Sequence, residues 1–255
     1  MSAVPLLQVS DLALEFGGVQ AIAELSLQVH AGEVLAVIGP NGAGKTSLLN
    51  VVTRVFDATR GQVRFRGQDL LALPRHRVPG LGLARTFQNI ELFEAATVLD
   101  NLMLGRHRFG GGAWWQQLLR TPALTRAEEA ARERVERVID FLELSPWRHA
   151  TIAGLPYGVR KVVELGRALC SEPELLFLDE PASGLNPEET RDLAFWIDDI
   201  RSELGITVVM IEHDMSLVSA VADRVICMAQ GRVLAQGTAA QVQADPLVIA
   251  AYLGT

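Results

Sequence analysis

The chain has 255 residues, 49% of them apolar, enough for one large domain or a core with a subdomain around a sizeable buried interior. Its 23 basic and 30 acidic residues leave a formal charge of −7, which argues against a long nucleic-acid footprint. Mean hydropathy is +0.22, yet no apolar run approaches the roughly eighteen residues of a membrane span, and Met1–Pro5 lacks the basic-then-apolar pattern of a leader, so the chain is expected in the cytoplasm.

Leu6–Phe16 is rich in strand formers, Gly17-Gly18 breaks it, and Leu25–Val29 alternates apolar with polar, which predicts antiparallel β structure. Phe16, just before the glycine pair, is placed either to pack in a core or to present its ring to a base. Next, the apolar run Val34–Ile38 leads into Gly39-Pro40-Asn41-Gly42-Ala43-Gly44-Lys45-Thr46 and a helical stretch from Thr46. Strand, glycine loop and helix in this order form a phosphate cradle. Its backbone N–H groups point at a polyphosphate, and a side chain at Gly42 or Gly44 would block that approach. Lys45 is expected to reach the β- and γ-phosphates, Thr46 to ligate Mg²⁺, and the helix N-terminus to add its positive end.

Gly61–Gly67 alternates like another strand. Gly82–Asn89 places Gln88 at a strand end, where its oxygen suits a Mg²⁺ ligand or a water-positioning group, although a solvated loop glutamine reads the same way. From Thr97 to Leu144 the pattern turns helical, with Thr125–Glu128 as a capping box and Trp114-Trp115 in a glycine-broken insertion, suited to a partner or to their own subdomain.

Tyr157-Gly158 opens a helix through Val163 and Leu169, giving a second exposed helix start that fits an anion or a plain helix-entry turn. Leu175–Leu178 is a short apolar strand running into Asp179 and Glu180, with Asp179 suited to Mg²⁺ and Glu180 to an attacking water. Asn186-Pro187-Glu188-Glu189 is an N-cap with a first-turn proline. Ile206–Ile211 is a buried strand ending in Glu212-His213-Asp214, where His213 is either a γ-phosphate donor or a surface group. Two short strands, Val225–Met228 and Arg232–Ala235, precede a terminal helical segment. Cys170 and Cys227 have no zinc-site spacing and are too few for a disulfide framework, so both are expected as buried thiols.

Taken together and in this order, these stretches resemble the ATP-binding subunit of an ABC transporter across nearly the full length. Gly39 to Thr46 is similar to Walker A, Gln88 to the Q-loop, Leu155 to Val159 to the signature, Leu175 to Asp179 to Walker B with Glu180 behind it, Ser183 to Asn186 to the D-loop, His213 to the switch histidine and Phe16 to the adenine-stacking position. Ala84–Asn89, Leu155–Gly158, Glu180–Asn186 and Ile249–Gly254 look most like the branched-chain amino-acid importer branch. The signature departs from the general pattern, with Pro156 in place of a serine, Tyr157 of a glycine and Val159 of a glutamine, so phosphate recognition there would rest on backbone donors.

The resemblance implies an α/β P-loop NTPase core with an antiparallel β subdomain and an inserted α-helical subdomain, residues 1–88 with 165–255 against 89–164, within one nucleotide-binding domain. It implies ATP and Mg²⁺, with Phe16, Gly39, Asn41, Gly42, Ala43, Gly44, Lys45, Thr46, Ser47, Tyr157 and Gly158 at the nucleotide. Thr46, Gln88 and Asp179 would meet the metal, and Glu180, His213 and Gln88 would serve hydrolysis. Implied partners are a second ATP-binding subunit, integral membrane permeases and, for an importer, a soluble substrate-binding protein, without nucleic acid, at the cytoplasmic face of the inner membrane. A lipid or polysaccharide exporter subunit and a nontransport ABC ATPase are the alternatives.

Overall fold

The computed structural model describes residues 4–88, 90–106 and 122–253. The expected capping box at Thr125 is corrected: the helix there already runs from Pro122 to Phe141, so Thr125 lies inside it. The Trp114-Trp115 pair lies outside the described residues. Residues 1–85 with 174–255 form one compact unit and residues 86–173 another. This division leaves the helix Tyr157–Leu169 whole within the second unit, where the sequence-based boundary at residue 164 passes through it.

The first unit holds two sheets. Strands β1 (Leu7–Phe16), β2 (Val19–Val29), β4 (Arg60–Phe65) and β5 (Gln68–Asp69) make a four-stranded antiparallel sheet in the order β2-β1-β4-β5. Gly17 and Gly18, both at positive φ, close the β1–β2 hairpin in two residues, a backbone twist that side-chain-bearing residues resist. The second sheet runs β10 (Arg232–Gly237), β9 (Arg224–Ala229), β3 (Val34–Ile38), β8 (Thr207–Ile211), β7 (Leu175–Asp179), β6 (Leu83–Arg85). From β9 to β6 it is parallel; β10 returns antiparallel at the edge. Every residue of β3, β7 and β8 is buried, which explains their unbroken apolar runs. Helix α1 (Lys45–Val52) follows β3, and Leu48, Leu49, Val51 and Val52 enter the core shared with Val37, Phe65 and Phe177. Among the described residues four more α-helices belong to this unit: α5 (Pro187–Ser202), α6 (Met215–Val221), α7 (Ala239–Ala244) and α8 (Pro246–Leu253). Asn186 caps α5 as its sequence foretells, its side chain accepting from Glu188 and Glu189 while Glu189 answers the Asn186 N–H.

The second unit is helical. Helix α2 (Val98–Leu104) starts from a Thr97/Asp100 capping box, α3 spans Pro122–Phe141 and α4 Tyr157–Leu169. Val98, Leu102, Val135, Ile139, Leu142, Ile152 and Val163 form its buried interior.

Candidate functional site

Parallel strands present their C-terminal ends along one edge, and the register here is tight. Val37, Ile211 and Asp179 stand in one row across β3, β8 and β7, so the segments that leave these strands start side by side: the glycine loop from Gly39, Glu212 toward His213, and Glu180. Sheet pairing alone therefore brings Asp179, Glu180 and His213 to the edge where the loop begins.

The loop is held by its own backbone. Lys45 lies 9% exposed, its Nζ donating to the carbonyls of Gly39 at 2.7 Å and Pro40 at 3.1 Å. Burial lowers its pKa below the usual lysine range, while the carboxylates of Glu180 and Asp179 pull the other way, so all three groups share one field. Thr46, Asn41 and Gly42 are exposed, Ser47 is half-buried and Ala43 is buried. The N-terminus of α1 has Gly44 as its cap residue and no side chain capping it, which leaves that end to a ligand.

Two of the loop glycines are also constrained by the fold itself. A Cβ at Gly44 would lie 2.4 Å from the Ala21 carbonyl and one at Gly39 2.1 Å from that of Met228, so these two are glycine because neighbouring strands press against the loop. Gly42, at φ +80°, would meet nothing within 4 Å, and its Cβ-free face is open. Beside the loop a cavity of about 350 Å³ is lined by Pro40, Asn41, Gly42, Ala43, Ala229, Gln230, Ala250 and Ala251. The C-terminal helix α8 thus borders the cradle through Ala250 and Ala251. Nothing in the spacing of that apolar tail signals such a position.

Asp179 is 2% exposed and takes a charged hydrogen bond from Arg85 Nη2 at 2.7 Å. Arg85 also donates from Nη1 to Asn50 of α1 at 2.6 Å, bracing β7 against the cradle helix. Sequence reading passed over this residue; its signal was an arginine at the end of an otherwise apolar strand. Glu180 adopts a left-handed backbone, φ +50°, with its N–H bound to the Ile211 carbonyl at 2.9 Å. His213 is exposed. Phe16 is 46% exposed at the hairpin tip, its ring edge-on to Phe56 at 5.1 Å, and β2 of that hairpin touches the loop at Ala21.

Gln88, Tyr157 and Gly158 belong to the second unit. The expected strand end at Gln88 is corrected: β6 stops at Arg85, because pairing with β7 runs out at Phe177, and Gln88 lies three residues beyond. Lys161 Nζ donates to the Gln88 carbonyl at 3.3 Å and sits 5.9 Å from the Tyr157 ring centre, so α4 ties these two segments together. Tyr157 is the first residue of α4, with Pro156 before it and no side-chain cap; Gly158 is buried. Glu164 accepts from the Phe87 N–H at 3.3 Å. Cys170 and Cys227 are both buried, as expected, and burial raises the Cys170 thiol to about 12.

Comparison with known proteins agrees with this geometry. A family profile described as "ABC transporter" matches residues 22–183, and one described as "Branched-chain amino acid ATP-binding cassette transporter" matches 232–255. The chain is 40% identical, over 98% of both chains, to the high-affinity branched-chain amino acid transport ATP-binding protein BraF of Pseudomonas aeruginosa. It is 38% identical, over the same share of each, to LivG of Escherichia coli. A nucleotide-free ATP-binding cassette from an ABC transporter superposes with a TM-score of 0.86 at 30% identity, covering 99% of this chain and 100% of that one. A cassette in its ADP conformation gives the same values. By its profile matches and its full-length relatives, the chain is a nucleotide-binding member of the ABC transporter family.

Proposed function

We propose that this chain is the ATP-hydrolysing subunit of an importer for branched-chain amino acids or related small polar solutes. The observation that carries the reading is the shared edge of β3, β7 and β8, where the Lys45 loop, Asp179, Glu180 and His213 converge. Lys45 and the loop amides bind the β- and γ-phosphates, and Phe16 stacks on the base. Ser47, one residue past Thr46 in α1, would join them at the nucleotide. Among the described residues no cluster of His, Cys, Asp or Glu side chains holds a metal by itself, as suits Mg²⁺ that arrives with the nucleotide and keeps phosphate and water ligands. Thr46 and Asp179 would hold it. When bound, the cation neutralises charge on the phosphoryl oxygens. Glu180 accepts the proton of the attacking water, and His213 donates to the γ-phosphate.

A second copy or a homologous subunit covers the γ-phosphate from its own α4 start, through backbone donors at Tyr157 and Gly158, because Pro156 offers no hydroxyl. Opening after hydrolysis moves the membrane permeases docked on the helical subdomain, assigned to residues 89–164, and a soluble binding protein delivers the solute. No helix among the described residues is long and apolar enough to cross a membrane. On the importer reading the subunit works at the cytoplasmic face of the inner membrane through its permeases.

Glu180→Gln tests the reading. ATP binding should persist while hydrolysis falls roughly 10²–10⁴-fold, the usual contribution of a positioned base. Parental turnover in this variant would remove Glu180 from the chemistry, and undiminished ATP affinity in Lys45→Ala would remove the cradle.

A further inference from the structure

Glu212 is fully buried at the end of β8, a costly place for a carboxylate unless its oxygens are satisfied. Three backbone donors satisfy them. The Ala182 N–H donates to Oε1 at 2.8 Å, and the N–H groups of His213 and Asp214 donate to Oε2 at 2.9 and 3.2 Å. The two oxygens thus serve two different segments. One holds the turn after β7, whose first residue is Glu180; the other holds the loop that carries His213. That turn is fastened at a second point as well, by the Glu180 N–H on the Ile211 carbonyl, and Ser183 N–H closes it on the Glu180 carbonyl at 3.1 Å. Glu212 itself is anchored to the cradle strand by its N–H on the Val37 carbonyl at 3.3 Å.

From this bracket we infer that Glu212 is a positioning residue for hydrolysis: its carboxylate fixes the spacing between the Glu180 turn and the His213 loop, so that base and phosphate donor face one γ-phosphate together. The inference rests on the roles given above to Glu180 and His213. An acceptor on both oxygens is the chemistry the bracket needs. Glutamine keeps the shape but turns an NH₂ toward one set of N–H donors, which pushes one segment away. Aspartate keeps both acceptors but is a methylene too short to reach both segments. Neither change touches the Lys45 loop or the hairpin bearing Phe16, so nucleotide affinity is set elsewhere.

The experiment uses the purified full chain and compares Glu212→Gln, Glu212→Asp, Glu180→Gln and His213→Ala. Each is measured for ATP affinity, for turnover at saturating ATP with Mg²⁺, and for melting temperature. Glu212→Gln should keep ATP affinity within about twofold while kcat falls roughly tenfold to a hundredfold, the range expected for misplacing reacting groups by an ångström or less. Glu212→Asp should fall between parent and Glu212→Gln. In a His213→Ala background the same Glu212→Gln change should cost less, because one of the groups it positions is gone. If Glu212→Gln does not yield folded protein, the split between kcat and affinity in Glu212→Asp decides. Parental kcat, a proportional loss of affinity and kcat, or an equal factor in both backgrounds overturns the inference. Unchanged hydrolysis in Glu180→Gln and His213→Ala overturns the assignment of those two groups and the inference with it, whereas loss in those two beside parental Glu212 variants overturns the inference alone.

Discussion

Arg85→Met isolates the force that holds Asp179 in place. The arginine and aspartate side chains are 8% and 2% exposed and meet at 2.7 Å, so the replacement leaves a carboxylate in the interior without its guanidinium and deprives Asn50 of a 2.6 Å donor. Breaking one partner of a buried pair costs about 3–5 kcal/mol, because the remaining charge is poorly compensated. For a chain of this size each kcal/mol lowers the melting temperature by roughly 2–4 °C, which places the expected fall at about 6–20 °C. The assay is thermal unfolding with a chelator present, so that no divalent cation substitutes for the missing charge. Arg85→Met combined with Asp179→Asn should recover most of the loss, since neither side is then left ionised. A single variant melting within about 2 °C of the parent, or a double variant no better than the single, would refute the electrostatic account and leave only lost packing.

Gly44→Ala should destabilise by roughly 2–5 kcal/mol, from a left-handed backbone at φ +96° and a Cβ 2.4 Å from the Ala21 carbonyl, while Gly42→Ala should cost only about 1–2 kcal/mol of backbone strain; equal denaturation midpoints for the two would contradict the close approach of β2. Burial raises the Glu164 pKa above its usual 4.5, with the Phe87 N–H opposing, so the stability it contributes is full below pH 4.5 and is lost as pH rises through its folded value. Glu164→Gln should therefore gain on the parent as pH climbs from 4.5 to 8, and a melting difference that stays flat with pH would show that the carboxyl is solvated. Cys170 and Cys227 should resist a thiol reagent in the native protein at pH 8 and react once unfolded; stoichiometric labelling of the native chain would disprove their burial.

Much of the first unit was legible because its elements are local. An apolar run, a glycine loop and a helix start announce themselves within twenty or so residues, and so do Leu175–Glu180, Asn186–Glu189 and Ile206–His213. Their assembly into one edge follows from the rule that polar groups cluster at the carboxyl ends of parallel strands. What escaped depends on partners distant in sequence. Arg85 reads as an ordinary cation until Asp179 lies beside it, and Glu212 as one more polar strand end until Ala182 reaches back to it. The glycine loop stands out in the sequence, yet the pressure on Gly39 and Gly44 comes from Met228 and Ala21, which no local window contains. Helix α3 begins at Pro122 rather than at the Thr125 signal, since proline suits a first helical turn as well as threonine suits a cap.

The placement of β3 has a bearing on synthesis. Its neighbours are β8 and β9, so Val34 waits for Val208 and Leu35 for Arg224, while β1 and β2 find each other at once across a two-residue turn. A growing chain on the ribosome can close the hairpin early but has no flanking strands for the one that feeds the glycine loop until residues 207–229 have been made. A nascent or prematurely terminated product would carry the lysine and glycines without the strands that flank and shape their loop, so the order of synthesis delays the loop behind the hairpin.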